Sequence, residues 1–202
     1  MALTIYGSPM SRTFRVLWMA KELGLQYENV PLDPRKGEPR GADYLKINPN
    51  GHVPAIKDGD FVMWESLAIN IYLARKHGGP LCPADPEEVG KAAMWSIWAL
   101  TELENNIVTL VQQAMGMPID PATAEKAKEA VKAPLTVLNN ALASGPYLIG
   151  NRFTVADLNV VGVVSGLSLA KYDLSPWPKI GAWLQTATAR KAFSEARAPM
   201  GH

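Results

Sequence analysis

Asn48-Pro-Asn-Gly-His-Val-Pro-Ala-Ile-Lys-Asp-Gly-Asp-Phe-Val-Met-Trp-Glu-Ser-Leu-Ala-Ile69 packs loop, strand, turn, strand and helix signals into one short run. Val53 precedes Pro54, whose ring pushes it to an extended conformation. Ala55 to Lys57 reads as a strand, Asp58-Gly59 as a hairpin turn and Phe61 to Trp64 as the returning strand. Ser66 stands where an N-cap belongs, before the helical run Leu67 to Ala74. Pro54 has no N–H, so the backbone at Val53 cannot pair fully with a neighbouring strand and is open to an extended peptide. The helix start at Glu65-Ser66 offers unpaired N–H groups and a positive dipole end, which suit a carboxylate. A small, extended, anionic peptide fits both devices.

Upstream, Leu3 to Tyr6 reads as a strand ended by Gly7-Ser-Pro-Met. A helix follows from about Ser11 to Leu23, with Phe14, Leu17, Trp18 and Leu23 on its apolar stripe and Gly24 behind it. Gln26 to Leu32 is a second strand. A strand–helix–strand run of this length predicts a parallel pair with a right-handed crossover. Asp33 to Ala42 is a polar surface loop, and Asp43 to Ile47 a short helical turn.

Downstream, Gly78 to Pro86 is a linker by composition, and strand signals stop there. Glu87 to about Met115 is one long helical pattern. Ala122 to Ala143 is another, with Pro134 as its expected kink. In Phe153-Thr-Val-Ala-Asp-Leu158, Thr154 is an N-cap and Asp157 reaches back to it, a carboxylate variant of the capping box, with Phe153 and Leu158 as the hydrophobic staple. The helix that follows is apolar nearly all round and belongs at the centre of its domain. This box holds the fold and does no chemistry. A last helix begins at Pro176, with Trp177, Ile180 and Trp183 facing inward. The domains expected are 1–78, a linker at 79–86, and an all-helical 87–202.

Of the 202 residues, 48% are hydrophobic and 19% charged, enough to bury a sizeable core. The net charge of +1 leaves no footprint for nucleic acid. The single cysteine, Cys82, excludes an internal disulfide and a Cys-x-x-Cys redox pair. No apolar run is long enough to span a bilayer, and the N-terminus reads as a strand rather than a signal peptide. We therefore expect a cytoplasmic protein without membrane or nucleic-acid partners.

Val53-Pro-Ala-Ile56, then Asp58-Gly59, then Trp64-Glu-Ser-x-Ala-Ile-x-x-Tyr-Leu73 resembles the glutathione-binding half of the cytosolic glutathione transferases. The strand and helix order around it resembles a thioredoxin-like domain. The resemblance implies an α/β thioredoxin-like domain followed by an all-α helical bundle. It implies glutathione as co-substrate, no metal, a hydrophobic electrophilic second substrate held between the domains, and a homodimer. Its serine-using classes, phi and theta-like, place the catalytic serine where Ser11 opens the first helix. A free thiol titrates at about 8.5, and a hydroxyl donor aimed at the sulfur favours the reactive anion. An ordinary helix cap competes for the same hydroxyl. Ser8 is the nearest substitute for Ser11. Tyr6 is the rival, since the tyrosine-using classes place their hydroxyl at the end of this strand.

By the same resemblance, Ser66 takes the γ-glutamyl α-carboxylate and Glu65 the ammonium. Val53 pairs by backbone with the cysteinyl unit, and the bond to Pro54 is cis. His52 and Arg40 take the glycyl carboxylate, with Arg35 or Lys36 as alternatives to Arg40. Glutathione-dependent peroxidase or dehalogenase activity is an alternative reading. So is a non-catalytic transferase-like binding module. Such modules often lose the Glu-Ser pair or the hydroxyl at the first helix, and both stand in this sequence.

Overall fold

A computed structural model describes residues 3–197. They form two compact units. One holds the described residues through Cys82 together with those from Ala189 onward; the other is Pro83–Thr188.

The first unit is built on a four-stranded sheet in the order β2-β1-β3-β4. Strand β1 (Leu3–Tyr6) pairs parallel with β2 (Tyr27–Val30), and helix α1 (Thr13–Glu22) makes the crossover. Strand β3 (Ala55–Asp58) runs antiparallel to β1, with Tyr6 opposite Ala55, and β4 (Phe61–Trp64) returns as its hairpin partner. Two short 3-10 turns (Pro34–Lys36 and Glu38–Arg40) and α2 (Ala42–Leu45) fill the connection from β2 to β3. The mixed sheet and the helix order are those of a thioredoxin-like domain.

Helix α1 buries Val16, Leu17, Trp18 and Met19 almost completely. It packs against α3 (Ser66–His77) and α11 (Lys191–Arg197). Phe193 of α11 meets the Trp18 ring edge-on with centroids 4.9 Å apart, and Arg190 clamps Glu22 through two hydrogen bonds of 2.6 Å. The sequence pattern assigns 87–202 to a single helical domain, whereas the described residues from Ala189 onward group with the first unit. The aromatic pair and the clamp explain why the end of the described chain groups with the sheet. Residues 198–202 of that range lie outside the described residues.

The second unit is all helical. Helix α4 (Pro86–Trp98) runs through a π-turn (Ala99–Glu104) into α5 (Asn105–Ala114). After α6 (Pro121–Ala130) and α7 (Lys132–Ala141) comes α8 (Val155–Val164), followed by α9 (Gly166–Leu169) and α10 (Pro178–Thr188). All residues of α8 except Gly162 are buried, as its all-round apolar pattern requires. Its capping box is formed: Asp157 accepts the Thr154 N–H at 3.0 Å. The other carboxylate oxygen accepts the Leu148 N–H at 2.9 Å and the Trp183 indole N–H at 3.0 Å.

Helix boundaries also differ from those the sequence pattern predicts: the helix expected from Pro176 begins at Pro178 and is followed by a further one, α11, and α2 begins at Ala42, inside the expected loop. The second long helical stretch breaks at Val131, not at Pro134. Pro134 falls in the first turn of α7, where an N–H has no partner within the helix and its absence costs little. Among the described residues, no helix is long and apolar enough to cross a membrane.

Candidate functional site

The candidate binding and catalytic residues all lie in the first unit. Arg35, Lys36 and Arg40 stand on the two 3-10 turns after β2; the others lie at the end of β1, on the approach to β3 and at the starts of α1 and α3. Gly7 is the point where they converge. It follows β1 with φ of 117°, and its N–H donates to the Val30 carbonyl at 2.8 Å. A Cβ added there would stand 2.0 Å from Thr13 Oγ1 and 2.9 Å from Val53 Cβ. Only glycine lets the strand end, the α1 start and the Val53 segment approach this closely.

Ser11 lies two residues before the first residue of α1, slightly outside the position the pattern predicted. It is half-buried. Its hydroxyl oxygen accepts the Thr13 N–H at 3.2 Å, so it holds the first N–H of α1 from one residue outside the capping position at Arg12. Its proton has two acceptors in reach, the Ser8 carbonyl at 2.8 Å and Thr13 Oγ1 at 2.9 Å. Ser8 thus enters the turn through its carbonyl. Tyr6 is half-buried, with its ring 5.8 Å from that of Tyr44.

The Val53-Pro54 peptide bond is cis. Two side chains fix the residue before it: the Tyr44 hydroxyl and the Asn48 amide both donate to the His52 carbonyl at 2.7 Å. Asn48 also accepts the Asn50 N–H at 3.1 Å, closing the Asn-Pro-Asn-Gly turn. Burial, the largest cause, pushes the Tyr44 phenol up to about 12, so this donor keeps its proton across the working range. Val53 and Pro54 are buried, while the His52 side chain is exposed.

Arg40 is exposed at the end of the second 3-10 turn. A Cβ on Gly51, which has φ of 62°, would lie 3.4 Å from Arg40 Cδ, so the arginine stem runs beside the residue preceding His52. Arg35 is engaged elsewhere: its guanidinium grips Asp33 at 3.1 and 3.2 Å.

At α3 the sequence expectation needs correcting. Ser66 is not the N-cap but the first helical residue; the cap is Glu65, with φ of 76° and ψ of 105°. The Glu65 carbonyl opens the helix by accepting the Ile69 N–H at 2.9 Å. Positive φ is costly for a glutamate and marks a position whose surroundings impose it. The shift puts the Ser66 N–H among the helix-start donors that have no intrahelical partner. Ser66 is buried, and Arg15 Nη1 lies 3.4 Å from its Oγ, tying α1 to the start of α3.

Sequence reasoning missed three contributors: Thr13, Tyr44 and Asn48. The Asn48-Pro-Asn-Gly turn signal was available, and so was a hydroxyl two residues after Ser11. The carbonyl that Tyr44 and Asn48 share is set by the path of the loop between them and His52, and the burial of Thr13 by its packing against Gly7.

The site therefore combines a buried backbone at Val53, a helix start with a serine at its first position, a hydroxyl at a second helix start and a basic rim. It can hold an extended anionic peptide and present a hydroxyl to it. Comparison with known proteins points the same way. Residues 1–75 match the family model for the N-terminal domain of glutathione S-transferases, and residues 103–191 match that for the C-terminal domain. Glutathione S-transferase 3 of Zea mays is 35% identical, over 96% of this chain and 92% of the relative. Probable glutathione S-transferase GSTF2 of Oryza sativa is 34% identical, over 97% and 96%. Among solved structures, a theta class glutathione S-transferase from Xanthomonas axonopodis pv. citri with glutathione bound superposes with a TM-score of 0.90. It is 28% identical, with 98% of each chain covered.

Proposed function

The chain belongs to the glutathione S-transferase family and is a glutathione transferase; on that premise we propose that Ser11 stabilises the glutathione thiolate as it attacks an electrophilic carbon. The observation that carries this is the Ser11 hydroxyl, which has one proton and a choice of acceptors at the start of α1. A small rotation redirects that proton to a sulfur, while the Thr13 N–H still holds the oxygen. The charge-assisted bond to a thiolate is stronger than the neutral ones it replaces.

In this reading the Ser66 hydroxyl and N–H take the γ-glutamyl carboxylate, and Glu65 takes the ammonium. The Val53 backbone aligns the cysteinyl unit beside Pro54. His52 and Arg40 receive the glycyl carboxylate. The arginine stem beside Gly51 supports Arg40 in that role, and the engagement of Arg35 with Asp33 argues against Arg35, leaving Lys36 as the alternative. Met10, 80% exposed and adjacent to Ser11 in the chain, offers adaptable apolar surface to a hydrophobic electrophile. The enzyme works as a homodimer in the cytoplasm, where a lone thiol such as Cys82 stays reduced. Exposed apolar side chains support the dimer: Phe61 and Trp64 on edge strand β4 in one unit, and Met94 and Ile97 on α4 in the other. Light scattering on the eluted protein, with a monomer mass for the Trp64→Glu variant, tests that part.

The catalytic assignment is tested by conjugation kinetics with glutathione and an aryl halide. Ser11→Ala lowers kcat/KM by roughly a hundredfold, the scale for removing one preorganised donor, with little change in glutathione affinity. Unchanged kcat/KM in Ser11→Ala moves the role to Tyr6 or Ser8.

A further inference from the structure

We propose that Thr13 is a positioning residue that turns the Ser11 hydroxyl toward the glutathione sulfur and strengthens it as a donor. The proposal rests on the Ser11 reading given above. Thr13 is the first residue of α1 and is fully buried. Its Oγ1 stands 2.9 Å from Ser11 Oγ, and its N–H reaches the same oxygen at 3.2 Å. The close approach of Gly7 confines the side chain, since any Cβ there would collide with Thr13 Oγ1 at 2.0 Å.

Two proton arrangements are open to this pair. In one, Ser11 donates to Thr13, and Thr13 donates onward to the Tyr6 carbonyl at 3.4 Å. That second bond is long and weak. In the other, Thr13 donates to Ser11, and the Ser11 proton is free to leave the pair. It then points at the Ser8 carbonyl or, when glutathione is bound, at its sulfur. A thiolate selects the second arrangement because it is the stronger acceptor. The Ser8 carbonyl is not orphaned by the change, since it keeps the Ser11 N–H at 3.1 Å.

In the selected state the Ser11 oxygen accepts two hydrogen bonds, from the Thr13 N–H and the Thr13 hydroxyl, while donating one. Accepting bonds polarises a hydroxyl and makes it a better donor, and the effect is larger away from bulk water. Thr13 touches neither the sulfur nor the electrophile in this scheme. It acts only through Ser11.

The test is the pH titration of the enzyme-bound glutathione thiol, with the pH profile of kcat/KM alongside. It compares wild type, Thr13→Val, Thr13→Ser, Ser11→Ala and the Ser11→Ala/Thr13→Val double variant. Thr13→Val keeps the shape and loses the hydroxyl. It raises the thiol pKa by roughly half a unit, the scale of one net hydrogen bond. Thr13→Ser restores the wild-type value. In the Ser11→Ala background, Thr13→Val adds no further shift.

A wild-type titration in Thr13→Val overturns the proposal. So does a further rise of about half a unit when Thr13→Val is added to Ser11→Ala, since the residue would then act through the fold and not through Ser11. If Ser11→Ala itself leaves the titration unmoved, the Ser11 reading fails first and takes this one with it. Should Thr13→Val fail to fold by circular dichroism, Thr13→Ala replaces it with the same expected rise.

Discussion

The Tyr44 hydroxyl donates to the His52 carbonyl across 2.7 Å, and so fixes the backbone that leads into the cis Val53-Pro54 bond. Asn48 shares the same acceptor. Tyr44→Phe therefore removes one of two holds and leaves no carbonyl unpaired. We expect a stability loss of about 1 kcal/mol at neutral pH and a higher KM for glutathione with kcat nearly kept. The phenol's folded value, about 12, lies well above that of an ordinary tyrosine. A group raised in this way stabilises fully below its unfolded value and loses that contribution as pH climbs toward the folded one. Denaturant melts from neutral pH to pH 11 should show the wild type losing stability above pH 10 and Tyr44→Phe losing less.

Glu65 separates stability from function. Its φ of 76° costs a glutamate but not a glycine. Glu65→Gly should leave the melting temperature unchanged or raise it, since the relieved strain of about 1 kcal/mol offsets the added chain entropy. The same variant loses the carboxylate proposed to meet the γ-glutamyl ammonium, so glutathione affinity drops severalfold. Calorimetry of melting and of glutathione binding on one sample checks both halves.

Arg40 and Arg35 make an internal control. Both are exposed and close in sequence, but Arg35 is committed to Asp33. Arg40→Ala should raise the glutathione KM by roughly three- to tenfold, as expected for losing a charge-assisted bond at a solvated rim. Arg35→Ala should leave it unchanged. Steady-state kinetics at varied glutathione tests the pair.

Acid stability of the helical unit depends on Glu88 and Arg152. The Glu88 carboxylate accepts the Arg152 guanidinium and the Ala84 N–H. Chiefly through Arg152, its pKa is held down at about 2, well below the usual glutamate range. A depressed carboxylate stabilises above its unfolded value and loses that contribution as pH falls through the folded one. Arg152→Gln should thus melt lower than wild type at pH 7, and the gap should close between pH 4.5 and 2. A gap that persists unchanged at pH 2 contradicts the ion-pair account.

Local signals were legible in the sequence wherever neighbours in the chain decide the geometry. The Asp58-Gly59 hairpin, the parallel β1–β2 pair and the Thr154/Asp157 box all follow from spacing and residue type, and all are present. Ser66 stands one position further into the helix than its residue type suggests, because nothing in Trp-Glu-Ser announces a glutamate at positive φ; the surrounding fold imposes it. Thr13, Tyr44 and Asn48 were invisible for a related reason. Thr13 meets Gly7 and Tyr6 only when β1 and α1 are assembled, while Tyr44 and Asn48 reach the His52 carbonyl within one local loop whose path no residue type announces. The grouping of α11 with the first unit depends on Phe193 finding Trp18 and Arg190 finding Glu22 across most of the chain, and no local pattern encodes that.

The most direct test of the central claim is the ultraviolet thiolate absorbance of enzyme-bound glutathione, followed against pH in wild type, Ser11→Ala and Tyr6→Phe. We predict that wild type and Tyr6→Phe ionise the bound thiol well below its free value of about 8.5. Ser11→Ala should return it toward that value. A titration unmoved by Ser11→Ala but raised by Tyr6→Phe would contradict the account and give the role to the tyrosine.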